Sequence, residues 1–416
     1  MKGFAAMVFV TLFSRLKNVH LLKDVGMIPF IMHRDFGADS RVVSFQNEDS
    51  YPYLLDEVKG LKLQFLDSKG RVRDSKESAG ASFQKAKAGP GPIRKEGDAY
   101  AAEKKSSILG PFLYVWRNAG SIDVLNVYHL NLSSFLCLLA YRIRKRKGGI
   151  GYLKLDMDLK GYKRLFMMNP VGAVKRMTMK LADVISVETT LLAEKLRKRY
   201  GPKVIYIPNG FYASENGEAK EFHKENLILT VGSLGTYPKA TDTLLKAFEG
   251  AADGNDWKLV LVGPVADSFR PFRQKFMKRH PDLRKRIIFT GEIRDKEKLT
   301  QLYRRAKIFV LPSRSESFGI VLLEAAANGD FLVTTTGVPA GRDIYNDGKF
   351  GFIVPPDDIP ALSGAFVRLM NSKADWETRA REIADCTWHD FRWEPVVAKL
   401  NDALTTVSEK IQNGGN

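Results

Sequence analysis

Two glutamates eight residues apart, Glu316 and Glu324, sit in the run AKIFVLPSRSESFGIVLLEAAANGDFLVTTT. An ionised carboxylate only accepts hydrogen bonds, so a pair on one crevice wall suits a ligand rich in hydroxyls. Taken alone, the spacing describes a solvated helix face just as well. The context narrows it. Residues 308–312 read as a buried strand and the Ser/Arg/Glu segment as a loop; residues 319–327 read as a helix and 331–335 as the next strand. The loop then lies at the carboxyl end of a parallel strand, where open α/β sheets form their ligand crevice. The N–H groups of Phe318, Gly319 and Ile320 would open the helix and face sugar or phosphate oxygens.

The elements that must hold this loop follow an alternation of short apolar β-branched runs and longer amphipathic segments, which predicts parallel α/β architecture. Strand candidates in the first half are residues 4–13, 41–45, 61–66, 122–129, 151–158, 184–188 and 204–208. In the second half they are 227–232, 258–263, 287–291, 308–312, 331–335 and 352–354. Each set suffices for its own doubly wound, Rossmann-like sheet. The expected division is a first domain over 1–208, a second over 209–385, and C-terminal helices over 386–416. Residues 67–107 show no hydrophobic period and are rich in Lys, Ala, Gly, Ser and Pro, which predicts a long mobile loop.

Composition excludes several classes. With 44% hydrophobic residues the chain can bury substantial cores. The two cysteines, Cys137 and Cys386, lack a CxxC or Cys/His setting and predict reduced thiols in a cytoplasmic protein. The run FAAMVFVTLF is too short to span a bilayer, lacks a small-residue cleavage site, and reads as a first buried strand. The net charge of +18 is one-sided: residues 1–208 hold 36 Lys/Arg against 19 Asp/Glu, and residues 209–416 hold 29 against 28. That asymmetry predicts an anionic partner for the first half. No nucleic-acid recognition motif accompanies it, so peripheral contact with anionic membrane at the inner face is the expectation.

The segment PSRSESFGIVLLEAAANG resembles the E-x7-E motif of the family-four retaining glycosyltransferases (glycosyl transferases group 1). VIYIPNGF, LILTVGSL followed by Lys239, KLVLVGP, FTGEI and DGKFGFIVPPDD resemble further segments of that family, in its order, over roughly residues 200–370. The resemblance implies a GT-B fold, with two Rossmann-like domains facing across a cleft and C-terminal helices crossing back to the first. It implies a retaining hexosyltransferase using a UDP- or GDP-linked sugar, without cofactor or metal, and a glycan or lipid-linked acceptor of polysaccharide or glycolipid synthesis. Carried onto this chain, Glu316 would contact the transferred sugar, Glu324 the ribose hydroxyls, and Lys239 the diphosphate, with Gly232 and Ser233 in the donor loop. SIDVLNVYHLN resembles the strand that ends in a cleft-facing histidine, here His129, which would line the site near the sugar.

Three departures stand out. Ser233 occupies the place where the family often has a phosphate-binding arginine, and Arg314 is a candidate substitute. FSRLKNVHLLKD replaces the glycine pair after the first strand, and Asp330 replaces a common proline. Asp156-Met157-Asp158 spells a DxD, read as acceptor-side or structural rather than as a metal site, and Trp388 and Trp393 read as packing anchors. A catalytically silent binding or regulatory subunit of the same fold is the alternative of a different class.

Overall fold

The computed structural model describes residues 7–73, 108–213 and 221–414, and they form two compact units: Met1–Asn209 with Trp393–Asn416, and Gly210–Arg392. The N-terminal part of the expected first strand and residues 74–107 of the expected loop lie outside the described residues.

The first unit is an eight-stranded sheet in the order β4-β3-β2-β1-β5-β6-β7-β8. Its strands are β1 (Val8–Leu16), β2 (Asp39–Gln46), β3 (Lys62–Leu66), β4 (Val72–Arg73), β5 (Val124–Tyr128), β6 (Ile150–Leu155), β7 (Val184–Val187) and β8 (Val204–Tyr206). All pairings are parallel except β3 with the two-residue β4. Every residue of β5, β6 and β7 is buried, as expected for central parallel strands covered on both faces. The strand order reverses between β1 and β5, so the loops after these two strands flank the switch point.

β1 runs three residues further than its apolar signal. Leu16 is fully buried and its N–H donates to Ser44 Oγ at 3.1 Å across an irregularity in the β1–β2 register. FSRLKNVHLLKD is therefore strand end, a 3-10 turn at Asn18–Leu22 and the start of the helix Asp24–Arg34, rather than an open loop. Residues 67–73 likewise form a turn and the strand β4 instead of structureless chain.

The second unit holds β9 (Glu225–Val231), β10 (Lys258–Val262), β11 (Ile287–Gly291), β12 (Ala306–Leu311), β13 (Phe331–Thr335) and β14 (Gly351–Val354), in the order β11-β10-β9-β12-β13-β14. All are parallel, and the order reverses between β9 and β12.

The C-terminal boundary falls at Trp393 rather than at residue 386. The helix Trp376–Phe391 belongs wholly to the second unit, where Ile383 and Phe391 join the core. Trp388 meets Phe211 edge-on at 5.3 Å, and its Nε1 donates to the Ala327 carbonyl at 2.9 Å. The helix Trp393–Gln412 belongs to the first unit and buries Trp393, Val396, Val397, Leu400 and Leu404. Both tryptophans are packing anchors, but in different units.

Candidate functional site

In the second unit the reversal between β9 and β12 sets two loops side by side. The loop after β9 carries Gly232, Ser233 and Lys239; the loop after β12 carries Ser313, Arg314 and Glu316. Lys239 and Glu316, 77 residues apart in sequence, meet as an ion pair with Nζ 2.5 Å from Oε1. Their side chains are 26% and 16% exposed, so the pair is reachable yet largely out of water. Ser313 Oγ donates to the same Glu316 oxygen at 2.9 Å, and the Glu316 N–H donates to the Gly337 carbonyl at 3.0 Å. Glu316 is thus fixed at backbone and side chain, as a group that must recognise a ligand should be.

Close backbone packing shapes the β9 loop. A Cβ at Gly263 would fall 1.9 Å from the Gly232 carbonyl oxygen, so the VGP and VGS turns pack backbone on backbone. Lys239 ends a short 3-10 turn, Tyr237–Lys239, and Ser233 is exposed beside it, its carbonyl accepting from Thr236 Oγ1 at 2.9 Å.

Arg314, the candidate substitute for the missing arginine, is engaged by acids and carbonyls of its own unit. Its Nε donates to Asp357 at 2.7 Å, its Nη2 to Asp242 at 3.1 Å and its Nη1 to the Tyr237 carbonyl at 2.7 Å. Its N–H also donates to the Pro238 carbonyl at 2.7 Å. With all these partners it braces the turn that carries Lys239. Asp357, its carboxyl lowered chiefly by its hydrogen bond from Arg314, is the anionic end of that brace. Sequence reading missed Asp242 and Asp357, whose positions beside Arg314 follow from the fold alone.

Glu324 lies in the helix Ile320–Ala327, and Tyr303 Oη donates to its Oε2 at 3.0 Å. Tyr303 is buried, and burial first, then the Glu324 charge, pushes its hydroxyl well above its usual range, so it remains a donor. The helix starts one residue later than its sequence signal. Gly319, with φ +91°, is the cap, and a Cβ there would lie 2.9 Å from Leu311 Cδ2. Only glycine makes this left-handed entry without strain. Phe318, 1% exposed, anchors the loop in the core. The amides from Phe318 to Ile320 therefore open a helix at the carboxyl end of β12.

His129 belongs to the other unit. It follows β5 at that sheet's own switch point, is exposed, and has φ +64°, a strained value for a non-glycine residue. Its ring lies 6.1 Å from those of Phe13 and Tyr128. These three, with Ser14, Asn131 and Ser134, line part of a small pocket inside the first unit. The DxD divides: Asp156 is exposed, whereas Asp158 caps the helix Leu159–Leu165 by accepting from the Gly161 N–H at 2.6 Å. Among the described residues no cluster of three His, Cys, Asp or Glu side chains is arranged to hold a metal ion.

Residues 214–384 match the model of the family described as glycosyl transferases group 1. The matched stretch lies within the second unit and carries both loops of the candidate site. It is 27% identical over 299 residues to the phosphatidyl-myo-inositol mannosyltransferase of Mycobacterium leprae, covering 70% of this chain and 76% of that one. Against the D-inositol 3-phosphate glycosyltransferase of Corynebacterium glutamicum it is 28% identical over 250 residues, covering 54% and 58%. The crystal structure of Anabaena HepE in complex with UDP superposes with a TM-score of 0.67 at 14% identity, over 96% of this chain and 100% of that one. The fold is accordingly GT-B, and the chain is a glycosyltransferase with two parallel α/β domains.

Proposed function

We propose that the chain transfers a hexose, with retention, from a UDP- or GDP-linked sugar to a glycan or lipid-linked acceptor in polysaccharide or glycolipid synthesis, in contact with anionic membrane. The observation that carries the donor half is the Lys239–Glu316 pair at the β9/β12 switch point, backed by helix-opening amides. A cation and a helix N-terminus suit a diphosphate, and a fixed carboxylate suits sugar hydroxyls. Glu324, oriented by Tyr303, is assigned to the ribose hydroxyls.

In this reading Lys239 and the amides from Phe318 to Ile320 stabilise negative charge on the departing diphosphate, which removes the need for a metal. The bond from the sugar carbon to the phosphate oxygen breaks and the acceptor hydroxyl bonds to that carbon on the same face. Its proton passes to the leaving phosphate oxygen. His129 lines the acceptor-side pocket and holds no proton in the step. The basic first half and the lipid in the name of the Mycobacterium leprae relative support the membrane-side acceptor.

Glu324→Ala is expected to weaken nucleotide binding at least tenfold, and Glu316→Ala to lower turnover with nucleotide binding nearly intact. Calorimetry with UDP and GDP, paired with donor-hydrolysis rates, separates them; the reverse pattern would reject the assignment.

A further inference from the structure

Between β6 and β7 the chain forms two helices, Leu159–Leu165 and Pro170–Leu181, joined by a turn at residues 166–169. Met168 in that turn is 95% exposed, and its neighbours Met167, Val171 and Met177 are 50%, 64% and 51% exposed. Single exposed apolar side chains are ordinary; four in one turn and the helix it starts are not.

The support beneath them is fixed. Arg176 Nη1 donates to the carbonyls of Leu165 and Met167 at 3.0 Å each. The Asn169 side chain caps the second helix, accepting from the Gly172 N–H at 2.7 Å. The Arg199 guanidinium stands 4.3 Å from the Phe166 ring centroid, and the Lys195 ammonium 5.9 Å from that of Tyr162.

The two helices and their turn carry charge of one sign. Residues 159–181 contain Lys160, Lys163, Arg164, Lys175, Arg176 and Lys180 and no acid. Position matters too. β6 and β7 are parallel, so the helix Pro170–Leu181 must return to the amino end of β7, and its own beginning stands on the carboxyl-end side of the sheet. The turn therefore lies on the side of the first unit's sheet that carries His129 and its pocket.

We propose that residues 166–171 are a membrane-docking element: Met167, Met168 and Val171 enter the interfacial layer of an anionic bilayer, and the surrounding cations hold its headgroup phosphates. An apolar tip with basic surroundings matches both layers of such a surface. A nucleic acid would satisfy the cations and leave the methionines in water. A second copy of this chain would bring the same positive charge to the contact. The proposal deepens the reading of a membrane-side acceptor and rests on it for its purpose, though its measurement does not require transfer.

Flotation of the full chain tests it, with vesicles of phosphatidylcholine alone or mixed with phosphatidylglycerol. Wild type is expected to float with the mixed vesicles, to remain below with the neutral ones, and to be released by high salt. Met168→Glu should bind the mixed vesicles about tenfold more weakly or worse, and Met168→Leu should bind as wild type does. So exposed a side chain supports little of the fold, so all three should melt alike and keep any nucleotide-induced rise in melting temperature. Absence of wild-type binding, or equal binding by Met168→Glu, would overturn the proposal. So would a wild-type dimer that Met168→Glu converts to monomer without vesicle binding, which would make the turn a contact between copies. Salt-sensitive, Met168-dependent flotation without any nucleotide effect would sink the donor reading and leave the docking element standing.

Discussion

Lys224 and Asp330 form an ion pair taken wholly out of water, with side chains 1% and 0% exposed and Nζ 2.7 Å from Oδ1. Lys224 also donates to the Asn328 carbonyl at 2.7 Å, tying the end of the helix that carries Glu324 to the start of β9. Burial pushes the Asp330 carboxyl up and the Lys224 ammonium down, and the charge of each partner opposes the shift of the other. This accounts for Asp330 standing where the family often has proline. Lys224→Met strands a buried carboxylate and should cost about 3–5 kcal/mol in urea unfolding, while Lys224→Met with Asp330→Leu should recover most of it. No recovery would mean that Lys224 acts through something other than this pair. A similar pairing was invisible in LKLDMD and SVETT: buried Lys154 donates to Glu188 at 2.9 Å and reaches Asp24 at 3.1 Å, partners supplied by other strands and a helix. The strand–loop–helix context singled out Glu316 and Glu324, and the family resemblance Lys239; Ser313 holds Glu316 from within the same loop, whereas Tyr303 and Arg314 reach Glu324 and the turn of Lys239 only through the fold.

At the scale of elements, the strands were legible because parallel strands covered on both faces read as unbroken apolar runs. β11 and β13 run as read, at 287–291 and 331–335, and apart from β1 the central strands of both sheets lie within two or three residues of their sequence signals. β4 escaped because two exposed residues carry no period, and β1 was cut short because Ser14 and Arg15 break the apolar run before buried Leu16. Strand order, and with it the switch point that joins the two loops, has no local signature. The helix entry at Gly319 gives a direct test. Gly319→Ala should cost about 1–2 kcal/mol through its left-handed backbone alone, with the Leu311 contact adding to it. Its urea midpoint and nucleotide affinity should fall together, and unchanged affinity would exclude these amides from the donor site. Arg314→Lys keeps the charge but cannot reach Asp242, Asp357 and the Tyr237 carbonyl at once. It should weaken nucleotide binding several-fold, as a positioning residue would, with little loss of global stability.

At the scale of the whole molecule, the chain divides its labour between two separately packed units, and the last helix belongs to the first of them. Removing residues 393–416 deletes Trp393, Val396, Val397, Leu400 and Leu404 from that core, each worth about 1.5–3 kcal/mol of burial. The truncated chain should lose or strongly destabilise the first unit yet retain nucleotide binding, as two resolved calorimetric transitions would show. A uniform collapse of both would mean that the units do not fold independently. The central claim is that Gly210–Arg392 holds a nucleotide sugar through Lys239, Glu316 and Glu324. The most direct measurement is the melting temperature of the full chain against a panel of UDP- and GDP-sugars, with Glu324→Ala in parallel. At a hundred times the dissociation constant a donor adds about 2.7 kcal/mol to the folded state, a rise of several degrees. One donor class should raise wild type by that amount and Glu324→Ala much less. No shift with any nucleotide sugar, or an equal shift in both proteins, would contradict the account.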